Sequence, residues 1–280
     1  MSLGYTRKHS GEAIGLESLN VNSDSLGSLP DGGELFLTGQ FAKAFHFQVA
    51  FEETDRRRAY RLRKSVFIDE LGYHMTTKEG GTLESDEYDD VAAQCVLVHK
   101  ASGVTAGCFR IVTPYSVEQD SPRQLPVEKH GSHGISHDTL HPRVMPRDKI
   151  CEASRLAIAQ EFRHHRDNER VENASLDPTF RLILPGLFLA AYSLAELLGN
   201  SHLYAMMAPT LPRLLRKSGF NFVRLGDTIE FHGRRNVFYI NRDLAGSGLQ
   251  DTLAPLHRHI YEELAPQAKR YLAIHHRDPA

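Results

Sequence analysis

The chain has 280 residues, of which 41% are hydrophobic and 24% are charged, and its formal net charge at pH 7 is -2. Such a chain has ample material for a hydrophobic core, as one large domain or two small ones. The near-neutral charge argues against bulk binding of nucleic acid, which usually leaves a basic excess. Three cysteines without a CxxC pair do not suggest a disulfide framework, so we expect buried thiols and a cytoplasmic protein.

The N-terminal part is predicted to be an irregular arm followed by a strand. Residues 1–40 are rich in Ser, Gly and Asn, which is typical of a mostly irregular segment. They contain no apolar core of the signal-peptide type. Apolar and polar residues alternate over 45–51, and this alternation predicts the first strand.

A helix follows this strand. Thr54 is a candidate cap for its first turn, and Asp55 is favourable there because its charge complements the helix dipole. Arg63 and Phe67 are four residues apart and therefore lie on one face. Gly72 is a natural place for the helix to end.

An acidic cluster lies after the next loop, at residues 84–90, and it holds five carboxylates in seven residues. Carboxylates this close repel one another, so they need water, a cation or a positioned arginine. The plainer alternative is a solvated acidic loop after a helix end.

The middle of the chain predicts a hairpin and a long loop. Residues 91–99 and 104–112 are the two strands, and Gly107 in the second indicates a bulge or a close backbone approach. Residues 114–150 predict a long loop with one short helix at 124–129, and a loop of that length is usually functional or mobile.

The second half alternates strands with helices. Residues 182–198 are the most apolar stretch, but Pro185, Gly186 and Glu196 interrupt it, so we expect a buried helix and no transmembrane segment. The predicted elements are a strand at 151–159, a helix at 180–198, a strand at 202–207, a helix at 210–218 ending at Gly219, strands at 222–225 and 237–241, and an amphipathic helix from 252 that Pro266 breaks. This order fits a mixed α/β or α+β domain.

Five short motifs occur in one order along the chain. They are Arg63-x3-Phe67, Leu71-Gly72-Tyr73, the acidic cluster from Glu84 to Asp89, Gly107-x2-Arg110 and Glu152-x-Ser154-Arg155. Together they resemble the autoinducer synthase family, whose members make acyl-homoserine lactones. The resemblance covers about Phe45 to Tyr239. It implies a fold related to the GNAT acetyltransferases, a twisted mixed sheet with helices on both faces, and acyl transfer from a thioester to an amine.

Two features are closer to a neighbouring branch. The chain has no Trp, and Tyr73 stands where autoinducer synthases usually have a Trp at the adenosylmethionine site. The long insert, which ends in LHPRVMPRDKICEASRLAI, resembles the acyltransferases associated with PEP-CTERM/exosortase systems and the long-chain N-acyl amino acid synthases. The implied division is an irregular arm at 1–40, a GNAT-like domain at 41–245 with the insert at 114–150, and a C-terminal helical extension at 246–280.

The resemblance places the catalytic base at Glu152 and gives Arg155 and Arg110 catalytic roles beside it. A carboxylate there can accept the proton of the attacking amine. The alternative is a Glu–Arg pair that only ties the sheet together. In an ideal strand Glu152 and Arg155 point to opposite faces, so they act together only if the strand is bulged.

The resemblance also implies an acceptor pocket formed by charged and aromatic residues. In the family layout, three arginines meet two aspartates that can hold the ammonium group of the acceptor: Arg63, Arg110, Arg155, Asp86 and Asp89. Phe67 and Tyr73 would line that pocket. A network that only stabilises the fold, with the two aromatic residues in the core, is the alternative.

The donor prediction rests on the turn after the fourth strand. GNAT enzymes that use coenzyme A normally have a glycine-rich turn there, but this chain has AIAQEFRHHRDNER. Its cations suit docking of an acidic acyl carrier protein: Arg163, His164, His165, Arg166 and Arg170. A solvated basic helix face is the alternative. The implied donor is acyl-phosphopantetheine on that carrier, with no permanently bound cofactor and, since no zinc spacing is present, no metal.

Three functions remain open. The leading hypothesis is an N-acyltransferase that moves a medium- or long-chain fatty acyl group from acyl carrier protein to the amine of an amino acid or similar small molecule. The second is an acyl-homoserine-lactone synthase that uses adenosylmethionine, against which the missing Trp and the long insert argue. The third is a non-catalytic protein that binds acyl ligands, against which the intact charged set argues.

Overall fold

The computed structural model describes residues 33–114, 124–163, 178–216, 218–241 and 253–275. The strands are β1 (Phe45–Val49), β2 (Thr77–Lys78), β3 (Leu83–Glu84), β4 (Ala93–His99), β5 (Thr105–Val112), β6 (Ile150–Ile158), β7 (His202–Met207), β8 (Val223–Arg224), β9 (Ile229–Glu230) and β10 (Arg234–Asn241). The α-helices are α1 (Gly33–Ala44), α2 (Glu53–Arg63), α3 (Pro126–His130), α4 (Ile183–Leu197), α5 (Leu211–Arg216) and α6 (Ala254–His275). The 3-10 helices are Glu79–Gly81, Ser132–Gly134, Pro142–Val144, Arg147–Lys149, Gln160–Phe162 and Pro178–Leu182.

One mixed sheet organises the fold. Its strand order is β1-β4-β5-β6-β7-β10-β8, and β9 pairs with β10. The pairs are antiparallel except β6 with β7, which run parallel. A parallel neighbour requires a crossover, and the apolar helix α4 lies within it. The order of strands and helices confirms the predicted mixed α/β class.

Helices cover both faces of the sheet, as two neighbouring residues of β5 show. A methyl group at Gly107 would lie 2.8 Å from Leu187 of α4. The next side chain, Cys108, points the other way and contacts the backbone of Ala59 in α2. Because side chains alternate along a strand, α4 and α2 pack on opposite faces. The expected close approach at Gly107 is therefore present, and a register shift in the β4–β5 pairing accompanies it.

The second helix changes type before it ends. After α2 the chain continues as a π-helix over Lys64–Glu70, and Gly72 stops it with a positive φ of 67°. The wider turn brings the amide of Tyr73 to the carbonyl of Phe67. Thr54 does not cap α2, since the cap position is Glu52 and carries no side-chain cap bond.

Two expectations about the chain ends need correction. Residues 33–40, expected to be irregular, belong to α1, while residues 1–32 lie outside the described part of the chain. Pro266 does not break the last helix, because α6 continues through it. Side chains of α6 hold the edge strand β1: Glu263 accepts from the amide of Phe47, and Gln267 accepts from the amide of Val49. These bonds also cover an otherwise unpaired strand edge.

The stretch Thr179–Leu197 is long and apolar enough to cross a membrane, with a mean hydropathy of 1.5. It is the one such stretch among the described residues, and 72% of it is buried inside the protein. Leu187, Leu189 and Leu194 join the main core cluster. The stretch therefore packs as the predicted core helix, with Pro185 in the first turn of α4.

Gly226 joins the long insert to the sheet. A methyl group there would overlap the carbonyl oxygen of Gly134 and crowd the amide of Ser136 at 2.8 Å. The backbone of Asp227 also donates to Gly134 at 2.8 Å. We predict that Gly226→Ala lowers the free energy of unfolding by about 2–3 kcal/mol, because the backbone must move. Urea unfolding followed by circular dichroism measures this change.

Gly39 is the matched control. It lies in α1, where an added methyl group meets nothing within 4 Å. Gly39→Ala should be neutral or should stabilise the protein by about 0.5–1 kcal/mol, the ordinary helix preference for Ala. Equal effects of the two substitutions would show that the insert is not held at Gly226.

Candidate active site

The site lies where two parallel strands separate. Strand β6 pairs with β7 only from Ile150↔His202 to Glu152↔Tyr204. Beyond this point the two strands diverge, and a cavity of about 210 Å³ opens between them. Residues 153–158 of β6 and 205–207 of β7 line it, together with Ala208 just after β7. The last paired residue, Glu152, therefore stands at the point where the cavity begins.

The cavity has a polar and an apolar lining. Charged and hydrogen-bonding side chains supply the first: Tyr73, Asp86, Arg110, His130, Glu152, Ser154, Arg155, His232 and Arg235. Apolar side chains supply the second: Val66, Phe67, Leu71, Phe109, Leu156, Ile158, Phe188, Ala191, Ala205, Met207 and Leu211. A molecule with a polar head and a hydrocarbon tail matches this division.

Glu152 is a buried carboxylate with one strong hydrogen bond. Only 1% of the residue is exposed, and it accepts from the backbone amide of Val127 at 2.6 Å. Burial raises the pKa of Glu152 to about 8, although the Val127 bond and the charges of Arg110 and Arg155 act in the opposite direction. A carboxylate with a pKa near the working pH is suited to accept a proton.

Arg155 reaches the same cavity because β6 is irregular. Its backbone has a positive φ of 55°, and the β5–β6 register shifts between Cys108 and Arg110. This irregularity overrides the alternation that would put Glu152 and Arg155 on opposite faces. The bulged arrangement that the sequence left open is therefore the one observed.

Three arginines and three carboxylates form a closed ring of ion pairs. In order around the ring they are Arg63, Glu84, Arg155, Asp86, Arg110 and Asp89. We call these six residues the ion-pair ring. Arg63 binds both oxygens of Asp89 at 2.7 and 2.9 Å, and Arg110 binds both oxygens of Asp86 at 2.5 and 2.8 Å. The alternative of a solvated acidic loop is therefore wrong for Glu84, Asp86 and Asp89.

Only one side of the ring is open. The side chains of Arg155 and Asp86 are 20% and 19% exposed, whereas Arg63, Arg110, Glu84 and Asp89 are buried. Burial alone would raise the pKa of Asp89, but the charges of Arg110 and Arg63 outweigh it and hold that pKa well below its ordinary range. Three positive and three negative charges therefore balance, and the ring presents Arg155 and Asp86 to the cavity.

Aromatic residues line the polar part of the cavity. Phe67 and Tyr73 stack with centroids 6.3 Å apart, and Tyr73 also stacks on His232 at 5.0 Å. His130 stacks on Phe231 at 4.9 Å. Sequence analysis identified Phe67 and Tyr73 but missed the histidines, because they belong to the insert and to the turn between β9 and β10.

The carrier-docking residues are only partly described. Arg163 lies in the cavity wall and donates to Glu70 at 2.6 Å, so its charge is already paired. This contact weakens its predicted docking role. His164, His165, Arg166 and Arg170 lie outside the described residues.

The remaining reactive groups are less suited to chemistry. Burial raises the pKa of Cys108 to about 12, and Cys95 and Cys151 are likewise buried with raised pKa values. Within the described ranges, no group of three or more His, Cys, Asp or Glu residues is arranged to hold a metal ion.

Comparisons with known proteins agree with this geometry. A family model described as an acetyltransferase (GNAT) domain matches residues 62–171, a segment that contains the whole ion-pair ring and Glu152. Over 168 residues the chain is 28% identical to an acyl-homoserine-lactone synthase of Aeromonas hydrophila, and the match covers 60% of this chain and 69% of that protein.

Solved structures give the same fold. TofI, in a ternary complex with an inhibitor and MTA, superposes with a TM-score of 0.52 at 19% identity, over 76% of this chain and 96% of TofI. The apo form of TofI gives a TM-score of 0.50 at 18% identity, over 76% and 95% of the two chains. The chain is therefore an acyltransferase whose residues 62–171 match a GNAT domain, and it resembles the acyl-homoserine-lactone synthases in sequence and TofI in fold.

Proposed function

We propose that this protein is an N-acyltransferase that moves a medium- or long-chain fatty acyl group from a carrier-protein thioester to the amine of an amino acid or similar small molecule. The observation that carries the proposal is Glu152. It is a buried carboxylate with a raised pKa, and it stands where a cavity with polar and apolar linings begins. Acyl transfer to an amine needs these same features, a base and a dry place for the acyl chain.

The reaction balances with this chain's own residues. The amine nitrogen attacks the thioester carbonyl carbon, a C–N bond forms, and the C–S bond breaks. Glu152 accepts the proton that the amine loses and returns it to the departing sulfur, which leaves as a thiol. The ion-pair ring keeps Arg155 and Asp86 in place, and Asp86 can attract the ammonium form of the acceptor before it is deprotonated.

The acyl chain is proposed to lie on the apolar lining between β6 and β7. Phe188 and Ala191 of α4 and Leu211 of α5 form part of that wall. Burial of each methylene group is worth about 0.8 kcal/mol, so a chain of several carbons gains substantial affinity there.

The proposed donor is acyl-phosphopantetheine on acyl carrier protein, and the proposed setting is the cytoplasm. The relation to PEP-CTERM/exosortase systems is part of the same proposal.

A thiol-release assay tests this function. Purified protein is mixed with dodecanoyl-acyl carrier protein, and free thiol is followed with a chromogenic disulfide before and after a panel of amino acids is added. We expect thiol release that depends on the acceptor, together with an N-dodecanoyl amino acid of the corresponding mass. Thiol release that no acceptor stimulates would contradict the proposal.

A second function is favoured by the 28% identity to an acyl-homoserine-lactone synthase. In that case the acceptor is adenosylmethionine, and the reaction releases methylthioadenosine together with the lactone. The same assay with adenosylmethionine, followed by chromatography for methylthioadenosine, separates the two functions. Methylthioadenosine formed at the rate of thiol release would establish the second function in place of the first.

A further inference from the structure

One arginine in the cavity wall has no carboxylate partner. Arg235 lies on β10, and its Nη2 donates to the phenol oxygen of Tyr73 at 2.9 Å. Its Nη1 donates to the backbone carbonyl of Arg234 at 3.0 Å. Within the described residues, no Asp or Glu oxygen lies within 4.0 Å of its guanidinium nitrogens.

The other cavity arginines differ in this respect. Arg110 and Arg155 belong to the ion-pair ring, and Arg163 pairs with Glu70. A half-buried guanidinium that bonds only to neutral oxygens keeps most of its capacity for a charged partner. An arginine fork binds a planar carboxylate through two parallel hydrogen bonds, which are about twice as strong as neutral ones. Arg235 is therefore the cavity arginine available for an anionic part of a substrate.

The surroundings of Arg235 are basic or neutral. The ring of Tyr73, whose phenol oxygen accepts from Arg235, stacks on Phe67. His232 also stacks on the ring of Tyr73. Burial and then the positive charges of Arg155 and Arg235 lower the pKa of His232, which disfavours its protonated form. The charges that lower this pKa come from basic groups, Arg155, Arg235, His130 and His74.

We propose that Arg235 binds the carboxylate of an α-amino acid acceptor and thereby selects α-amino acids over simple amines. This inference rests on the proposed function, since it assigns a role to a residue that faces the same cavity. The carboxylate of an α-amino acid is two bonds from its amine, so the amine presented to Glu152 places an anion close by. Arg155 is already bound to Glu84 and Asp86, which leaves Arg235 to bind the carboxylate of the acceptor.

Tyr73 acts as a positioning residue in this scheme. Its phenol holds one Nη group of Arg235, while its ring is fixed between Phe67 and His232. The carboxylate is shared by free amino acids and by the methionine part of adenosylmethionine, so the inference covers both candidate acceptors. The guanidinium of Arg235 could instead bind a different anion, the phosphate of phosphopantetheine. The kinetic experiment below distinguishes the two anions.

The test measures binding first, so that it is independent of turnover. Isothermal titration with N-dodecanoyl-glycine and with its primary amide compares two ligands that differ only in the charged group. We expect the wild-type protein to prefer the carboxylate and Arg235→Gln to reduce that preference by about 10- to 100-fold. Arg235→Lys should retain part of it, and Tyr73→Phe should weaken it less than Arg235→Gln does. Equal affinities for carboxylate and amide in the wild-type protein would overturn the proposal.

Arg234→Gln is the matched control. Arg234 is the exposed neighbour on the same strand, and its side chain alternates away from that of Arg235, so the preference should not change. An equal loss in both variants would identify a general charge effect and overturn the proposal. Thermal unfolding of each variant shows that it is folded at the temperature of the titration.

Kinetic measurements distinguish binding of the acceptor carboxylate from binding of the donor phosphate. They also test the Arg235 site separately from the proposed acyltransferase function. If Arg235 binds the phosphate instead, Arg235→Gln raises KM for dodecanoyl-phosphopantetheine but not for dodecanoyl-pantetheine, and the carboxylate assignment fails. If the wild-type protein prefers the carboxylate in titration yet transfers no acyl group to any amine, then the proposed function fails while the Arg235 site stands.

Discussion

Replacing Glu152 by glutamine should lower kcat/KM for acyl transfer by about 100- to 10,000-fold at pH 8, the usual contribution of a general base. Glutamine has the same length and can still accept the Val127 amide bond, but it cannot take up the proton of the amine. Initial rates of thiol release from dodecanoyl-acyl carrier protein measure the effect. The control is Glu87→Gln, a half-exposed carboxylate paired with Lys129, which should retain the wild-type rate.

The dependence of the wild-type kcat/KM on pH should show the titration of the Glu152 carboxyl group. Burial raises the pKa of Glu152 to about 8, and only the ionised form accepts a proton, so kcat/KM should rise with pH and level off above 8. The acceptor amine also titrates, so the profile is measured with two acceptors whose amine pKa values differ. If Glu152 causes the rise in kcat/KM, the midpoint of that rise has the same pH with both acceptors, and the rise disappears in Glu152→Gln. A limb that follows the amine, or a variant with more than a third of the rate, would contradict the assignment.

Stability separates loss of chemistry from loss of fold. The folded pKa of Glu152, about 8, lies above its ordinary value of 4.5, so the folded protein holds this proton more tightly than the unfolded chain. The contribution of Glu152 to wild-type stability therefore falls as pH rises from 4.5 to 8. Glu152→Gln has no proton to lose there, so it should gain stability relative to wild type between pH 5 and pH 8. Urea unfolding at these two pH values measures the difference.

Patterns over many residues predicted most of the fold. Alternation placed β1, and the hairpin pattern placed β4 and β5, all within two residues, and the apolar run of α4 identified the core helix. The prediction for α6 failed because intrinsic preference disfavours Pro266 inside a helix, whereas Gln267 and Glu263 fix the neighbouring turns to the edge of the sheet. Such tertiary contacts override local propensity and leave no periodic signal.

The site was less accessible to sequence reasoning, for physical reasons. Glu152 and Arg155 reach one cavity only because a single residue of β6 adopts a positive φ, and an arginine gives no sign of that conformation. His130 is far along the chain from His232 and Arg235, and the sheet order brings the two segments to the same opening. The acidic cluster alone indicated a need for cations, and the family resemblance named the arginines that supply them, Arg63, Arg110 and Arg155.

Replacing Asp89 by asparagine should lower the free energy of unfolding by about 3–5 kcal/mol, the usual cost of removing one partner from a buried ion pair. Asp89 accepts from Arg63, Arg110, the side chain of Gln94 and the amide of Asp86. An asparagine leaves both guanidinium groups buried with one negative charge fewer. Urea unfolding at pH 7 measures the loss. The control is Asp90→Asn, an exposed neighbour that should change stability by less than about 0.5 kcal/mol.

The sign of the pH effect is opposite to that of Glu152. The folded pKa of Asp89 is depressed below its ordinary value of 3.8, so its contribution to stability is present above that value and is lost as pH falls. The gap between wild type and Asp89→Asn should therefore be constant from pH 5 to pH 8 and shrink below pH 4. A gap of less than 1 kcal/mol at pH 7 would mean that the ring does not hold the fold. Since Arg155, Asp86 and Arg110 are the ring members that line the cavity, a loosened ring should also lower kcat of the protein that remains folded.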